Sequence, residues 1–166
     1  MGSRRHTYRV RTQWVGDANA DATAFRRHDR AYRLSATGKP DIPGSSDPAF
    51  RGDAGCWNPE DLLVASLVSC HQLWYLGLCA AADIIVLSYE DEAEGVMIEE
   101  RVDGAGQFES VVLRPRVVLA RGGDVAKAGA LHETAHAHCF VARSVNFPVL
   151  IEPTVTAAGS AVGHHS

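Results

Sequence analysis

The residues of this chain with the most chemistry to offer are four cysteines, Cys56, Cys70, Cys79 and Cys139, and a run of histidines. Cys70 lies in the stretch NPEDLLVASLVSCHQLWYLGLCAAA, where residues 62–82 carry no formal charge and Ser69, Cys70 and His71 interrupt an apolar run. A helix that only fills a core needs no such polar cluster, so function is to be sought there. The thiols are widely spaced and follow no apolar leader. They are therefore expected to be catalytic, metal-binding or simply buried in a reducing, cytoplasmic setting, not a secreted disulfide framework. His132, His136, His138 and Cys139 lie close together further on. His132 and His136, four apart on a helix, face one side, and Cys139 or the Cys70, His71 pair would complete a zinc set. With no C-x-x-C in the sequence, histidines on a helix surface are the competing expectation. The carboxylates at 90, 91, 92 and 94 read as a solvated strand face, because no second ligand cluster accompanies them.

The element that must position Cys70 is legible. Asn58 is a natural N-cap, Pro59 suits the first helical position, and Glu60 and Asp61 place negative charge at the positive end of the helix dipole. Apolar residues then occupy every face, as in a helix buried all round and forming the central rod of a core. A bilayer-spanning helix has this length too. Polar Ser66, Ser69, His71 and Gln72 at its centre and acidic flanks without Lys or Arg argue against that reading.

Before the rod, residues 7–14, 22–28 and 31–36 alternate apolar with polar and predict an antiparallel meander. Residues 37–55, rich in Pro, Gly, Ser and Asp, predict a long loop. After it, one long strand is expected over 84–100 and a hairpin partner over 108–120, with Pro115 arguing for an edge or a bulge. Asp124 then caps a second helix over 125–142, and a last strand covers 146–155. The order βββ, helix, ββ, helix, β is that of an α+β domain. With 166 residues, 46% of them apolar, one domain over 1–166 with its core over about 6–157 is expected. A net charge of −4 offers no basic field for nucleic acid.

NPEDLLVASLVSC in the first helix and HCFVARSVNFPV around the second cysteine resemble the paired signatures of the OsmC/Ohr family of thiol-dependent organic hydroperoxide reductases. The cysteines lie 69 positions apart, each on its own helix, as that family has them. The resemblance extends from the N-terminal strands to Val155. It implies an OsmC-like fold, an intertwined homodimer of α+β subunits with two central helices, and active sites at the subunit interface. Carried over residue by residue, Cys70 matches the peroxidatic cysteine, Cys139 the resolving cysteine and Glu60 the glutamate of the N-P-E motif. Arg51, nine before Glu60 in a loop resembling the R-F-E stretch of OsmC-type members, is the expected active-site arginine, with Arg33 as its substitute. The helix departs from the best-known reductases in the bulky, histidine-bearing SCHQLWYLGLC.

Chemistry agrees with these roles. A thiol attacks peroxide as thiolate, and Cys70 lies too deep in its helix for the N-terminal dipole to help much. A cation such as Arg51, held by Glu60 through a bidentate pair, would supply the charge. Trp74, Tyr75 and the neighbouring Leu and Val side chains would favour an organic hydroperoxide over hydrogen peroxide. Cys79, about 180° round the helix from Cys70, is expected in the core, and Cys56 is incidental. No metal or other cofactor is expected in this reading, and the reductant is a dithiol, of lipoyl type by resemblance. The alternatives are a binding or stress-associated OsmC-like domain with little turnover, and a His/Cys metal-binding domain.

Overall fold

Asn58 starts the longest element as its residue type predicts. Its Oδ1 accepts from Asp61 N at 2.7 Å, and its own N–H donates to Asp61 Oδ2 at 3.4 Å, a reciprocal cap. The helix α1 then runs from Pro59 to Ala81. Asp83 ends it in the left-handed conformation, φ 57°. Asp83 N donates to Ala80 O and Ile84 N to Cys79 O, the paired bonds of a Schellman cap formed without glycine.

The computed structural model describes residues 3–15, 30–99 and 105–159. The chain divides into two compact units, Met1–Leu63 and Val64–Ser166. In the first, β1 (Arg11–Trp14), β2 (Tyr32–Ser35) and β3 (Ile42–Gly44) form an antiparallel sheet in that order. Its third strand comes from the segment expected to be a loop; the strand expected over 22–28 lies outside the described residues. A 3₁₀ turn at Pro48–Phe50, capped by Asp47, leads on toward α1.

The second unit holds two mixed three-stranded sheets. One has the order β4 (Val86–Asp91), β7 (Pro115–Leu119), β9 (Thr154–Ala157), the other β5 (Glu94–Glu99), β6 (Gly106–Leu113), β8 (Val149–Ile151). Each long strand expected from the sequence is broken once and passes from one sheet to the other. The antiparallel pairing of 84–100 with 108–120 holds in both halves, while the last strand adds to each sheet in parallel. Arg114 fastens the break. Its N donates to Asp91 Oδ1 at 2.8 Å, its Nε to Glu152 Oε2 at 3.1 Å and its Nη1 to Glu94 Oε2 at 3.2 Å. Pro115 is buried at the first residue of the central strand β7, not on an edge, a place where its missing N–H is tolerated. Of the four carboxylates, Glu90 and Glu92 pair with exposed Arg116, as a solvated face requires. Asp91 departs from that expectation. It is half-buried, accepts from Arg114 N and Tyr89 OH, and has its pKa raised by burial.

α2 spans Val125–His138 and is capped by Asp124, whose Oδ1 accepts from Lys127 N at 2.9 Å. It stops short of the expected 142, and a 3₁₀ turn, Ala142–Ser144, follows. One core cluster joins Tyr75 and Cys79 to Val117, Leu119, Ala128 and Ala135; a second joins Leu67 to Val111, Leu113 and Val149. Gly95 allows the close approach of α1 to β5, for a Cβ there would lie 2.9 Å from Val64 Cγ2.

The burial of α1 corrects the sequence expectation. Within the chain only the stripe Leu67, His71, Tyr75, Cys79 is buried, one residue per turn. Leu73 is 72% exposed, and Gly77 and Ala80 are also exposed. By length and composition α1 is apolar enough to cross a bilayer, a test that the core helix of a globular protein also passes. An all-apolar surface marks what must be covered; the sheets of one chain reach one side of it.

Candidate functional site: two thiols at an apolar cleft

The half-buried Cys70 side chain leaves α1 on the flank between its buried stripe and its open face. Counting from it by helical steps, Leu73, Trp74, Gly77 and Leu78 fall on the same side. These four, Cys70 and Phe140 line a cleft of about 580 Å³. Its floor is a helix face, and Phe140 forms a wall with its ring 5.6 Å from Trp74, edge on. The His138 ring also packs on Trp74, tilted, at 5.2 Å. Among the lining residues Cys70 alone carries a reactive group, so a ligand in the cleft meets hydrocarbon and one thiol.

Cys139 is buried at the C-cap of α2, with extended backbone (φ −64°, ψ 108°). Its Sγ accepts from Ala142 N at 3.4 Å. Burial pushes its pKa up, and interaction with the Cys70 thiol beside it pushes further the same way. The fold thus brings together two cysteines 69 positions apart, both as free thiols. Cys79 is buried in the core, where burial raises its pKa, and Cys56 is a partly buried loop thiol before α1.

Glu60 is in the first turn of α1, and its Oε2 is buried without a hydrogen-bond partner among the described residues. Beside it in the same unit, Tyr32 has its pKa raised by burial first and by Glu60 next. Arg51 is exposed, in the left-handed conformation (φ 67°) that closes the 3₁₀ turn. Arg33 is exposed on β2, its Nε 3.7 Å from Asp41 Oδ2. Ten residues of helix rise about 15 Å, so Glu60 and Cys70 of one helix do not meet at one site.

His138 is exposed, as the surface expectation has it, but His132 is not. His132 is 2% exposed and not on a surface, and its Nδ1 lies 3.0 Å from Nε2 of the equally buried His71. The two rings are nearly parallel, at 10° with centroids 5.3 Å apart, and meet edge to edge through these nitrogens, while Tyr75 stacks on His132 at 3.8 Å. Among the described residues no three His, Cys, Asp or Glu side chains are grouped to hold a metal ion. Burial lowers the pKa of each ring from the ordinary 6.5 to about 4, with His136 adding to the effect at His71 and His71 at His132. Both are neutral at pH 7 and lend no positive charge to the thiols. Tyr75, expected around Cys70, is instead fully buried against this pair.

Sequence reasoning missed the lining residues Leu73, Gly77, Leu78 and Phe140. The signal was present, since three of them recur at helical spacing from Cys70. The His71–His132 contact joins residues 61 apart and leaves no local pattern.

The model of the OsmC-like protein family matches residues 52–154, more than half of the chain. No curated protein matches it. Among solved structures, an OsmC-like protein of unknown function from Vibrio cholerae is 28% identical, with a TM-score of 0.81 over 90% of this chain and all of that one. An organic hydroperoxide resistance protein from Elizabethkingia anophelis is 17% identical, with a TM-score of 0.64 over 93% and 99% of the two chains. One from Bacillus subtilis is 20% identical, with a TM-score of 0.59 over 90% and 98%. At those two identities the likeness is one of fold. The family match, the α+β fold of two helices and mixed sheets, and the two thiols on their two helices agree: this chain belongs to the OsmC-like family.

Proposed function

We propose that the protein is a thiol-dependent peroxidase that reduces organic hydroperoxides to alcohols. The observation that carries this reading is the adjacency of Cys139 to Cys70, the one thiol that lines an otherwise apolar cleft. The Cys70 thiolate attacks the terminal peroxide oxygen. The O–O bond breaks, the alkoxide leaves and takes a proton to become the alcohol, and Cys70 becomes a sulfenic acid. Cys139 attacks that sulfur, the S–O bond breaks, and the oxygen leaves as water with the Cys139 proton. An external dithiol, of lipoyl type by family resemblance, reopens the disulfide and is itself oxidised to a disulfide. The sum is hydroperoxide plus dithiol giving alcohol, water and cyclic disulfide. This cycle belongs in a reducing compartment such as the cytoplasm.

The buried neutral histidines supply no cation, so thiolate formation at Cys70 calls for an arginine. Arg51, with Arg33 as its substitute, takes that role, and Glu60 holds the guanidinium. Because Glu60 lies about 15 Å along the helix from Cys70 of its own chain, it serves the site of a second copy. The exposed apolar side of α1, with Leu73 at its centre, supports a homodimer in which two such helices pack together. The test is consumption of cumene or fatty-acid hydroperoxide by the purified protein with excess dithiol. Turnover faster than with hydrogen peroxide is expected; no dithiol-dependent turnover of any hydroperoxide rejects the enzyme and favours a binding domain on the same scaffold.

A further inference from the structure

The pair His71–His132 is a buried polar contact between the two cysteine-bearing helices, distinct from the meeting of the two thiols. His71 follows Cys70 on α1, and His132 stands two turns before Cys139 on α2. Trp74 with His138, Tyr75 with His132 and the apolar packing of Tyr75 and Cys79 with Ala128 and Ala135 also join these helices, and such packings tolerate sliding. The Nε2 to Nδ1 contact at 3.0 Å does not, because a hydrogen bond weakens steeply with distance and angle. Buried as both rings are, parting them would leave an unmatched donor and acceptor away from water. Among the described residues the outer nitrogens, His71 Nδ1 and His132 Nε2, have no hydrogen-bond partner, so the shared bond is the one each ring makes there.

We propose that the His71–His132 hydrogen bond is a clasp that sets the separation of α1 and α2, and thereby holds Cys139 where it can close a disulfide on Cys70. A disulfide demands a Cα separation near 5.5 Å, and helices that drift leave that window. Cys139 sits on extended C-cap backbone, outside the helical ladder that fixes Cys70 in mid-helix, so any swing that brings the two sulfurs together falls to Cys139. The clasp confines that swing to the useful range. His71 and His132 are positioning residues; neither touches the peroxide. The inference rests on the reading of Cys70 and Cys139 as a redox pair, and its test does not require peroxidase turnover.

The measurement is the effective concentration of Cys139 for Cys70, from equilibration of the intact protein with reduced and oxidised glutathione and mapping of the Cys70–Cys139 linked peptide. In His71→Asn, whose side chain is too short to reach, the value is expected to fall about tenfold. In His71→Gln, whose amide nitrogen mimics Nε2, it is expected to stay close to wild type. His132→Leu and His132→Asn, the latter mimicking Nδ1, form a second pair with the same contrast, and far-UV circular dichroism verifies the fold of each. Should either short or apolar variant fail to fold, the other pair decides. An unchanged value in His71→Asn and His132→Leu overturns the clasp, as does an equal fall in all four variants. A wild type that forms no Cys70–Cys139 disulfide overturns clasp and redox pair together. A wild type that forms it readily yet reduces no hydroperoxide rejects the proposed enzyme and leaves the clasp standing.

Discussion

Cys139 at rest is a protonated thiol, since burial and the neighbouring Cys70 both disfavour its charged form. In the proposed cycle it becomes a nucleophile when sulfenic acid forms beside it, which would keep the resolving step tied to the peroxidatic one. Cys70→Ser should therefore abolish turnover, a loss that a dithiol-coupled peroxide assay reads directly. In Cys139→Ser the first turnover should survive, and Cys70 should pass to sulfinic acid under excess peroxide, as intact-mass spectrometry would show; normal cycling without overoxidation would reassign the resolving residue. The histidine pair gives a separate test by pH. Each folded-state pKa, about 4, lies below the ordinary 6.5, so between those values the unfolded chain binds more protons than the folded one. Stability is then fully present above pH 6.5 and falls as pH drops toward 4. Urea midpoints taken across that range should flatten in the double variant His71→Gln with His132→Asn. The cysteine pair was legible in the sequence from its two motifs. The histidine pair was not, because nothing local distinguishes a buried His132 from an exposed His138 one and a half turns on.

At the scale of elements, ends were easier to read than interiors. Asn58, Pro59, Glu60 and Asp61 announce the start of α1, and Asp124 that of α2, because capping chemistry is local. Asp124→Ala should accordingly cost about 1 kcal/mol, read as a lower urea midpoint with unchanged slope. The strand breaks were legible only in part: Pro115 argued for an edge or a bulge, but nothing local showed that each strand passes from one sheet to the other. What divides them is tertiary: Arg114 satisfies Asp91, Glu94 and Glu152 at one level of the ribbon, and no window of sequence contains that grouping. The overlong α2 has a similar cause. Cys139 and its neighbours continue the apolar periodicity, but Cys139 adopts extended backbone, and the helix stops there.

Taken as a whole molecule, the chain leaves a large apolar side of α1 open to solvent, which a lone subunit would not retain without cause. The sequence showed that every side of this helix is apolar; it could not show how much of it one chain covers. A homodimer formed on this side predicts a sedimentation mass of two chains. Leu73→Glu, which places a charge in the middle of that side, should shift the population to monomer and reduce turnover by at least an order of magnitude, since burying an unpaired charge costs several kcal/mol. A wild type that sediments as an active monomer would contradict both the dimer and the contribution of Glu60 from the second copy.

The central claim is that the two thiols act as one redox pair, and stoichiometric oxidation tests it most directly. The protein is treated with one equivalent of cumene hydroperoxide and no reductant, alkylated, digested and mapped by mass spectrometry. The account predicts one alcohol released per chain and a linked peptide joining Cys70 to Cys139, with Cys56 and Cys79 recovered as alkylated thiols. Recovery of Cys70 as an alkylated thiol, or its linkage to Cys56 or Cys79, would contradict it.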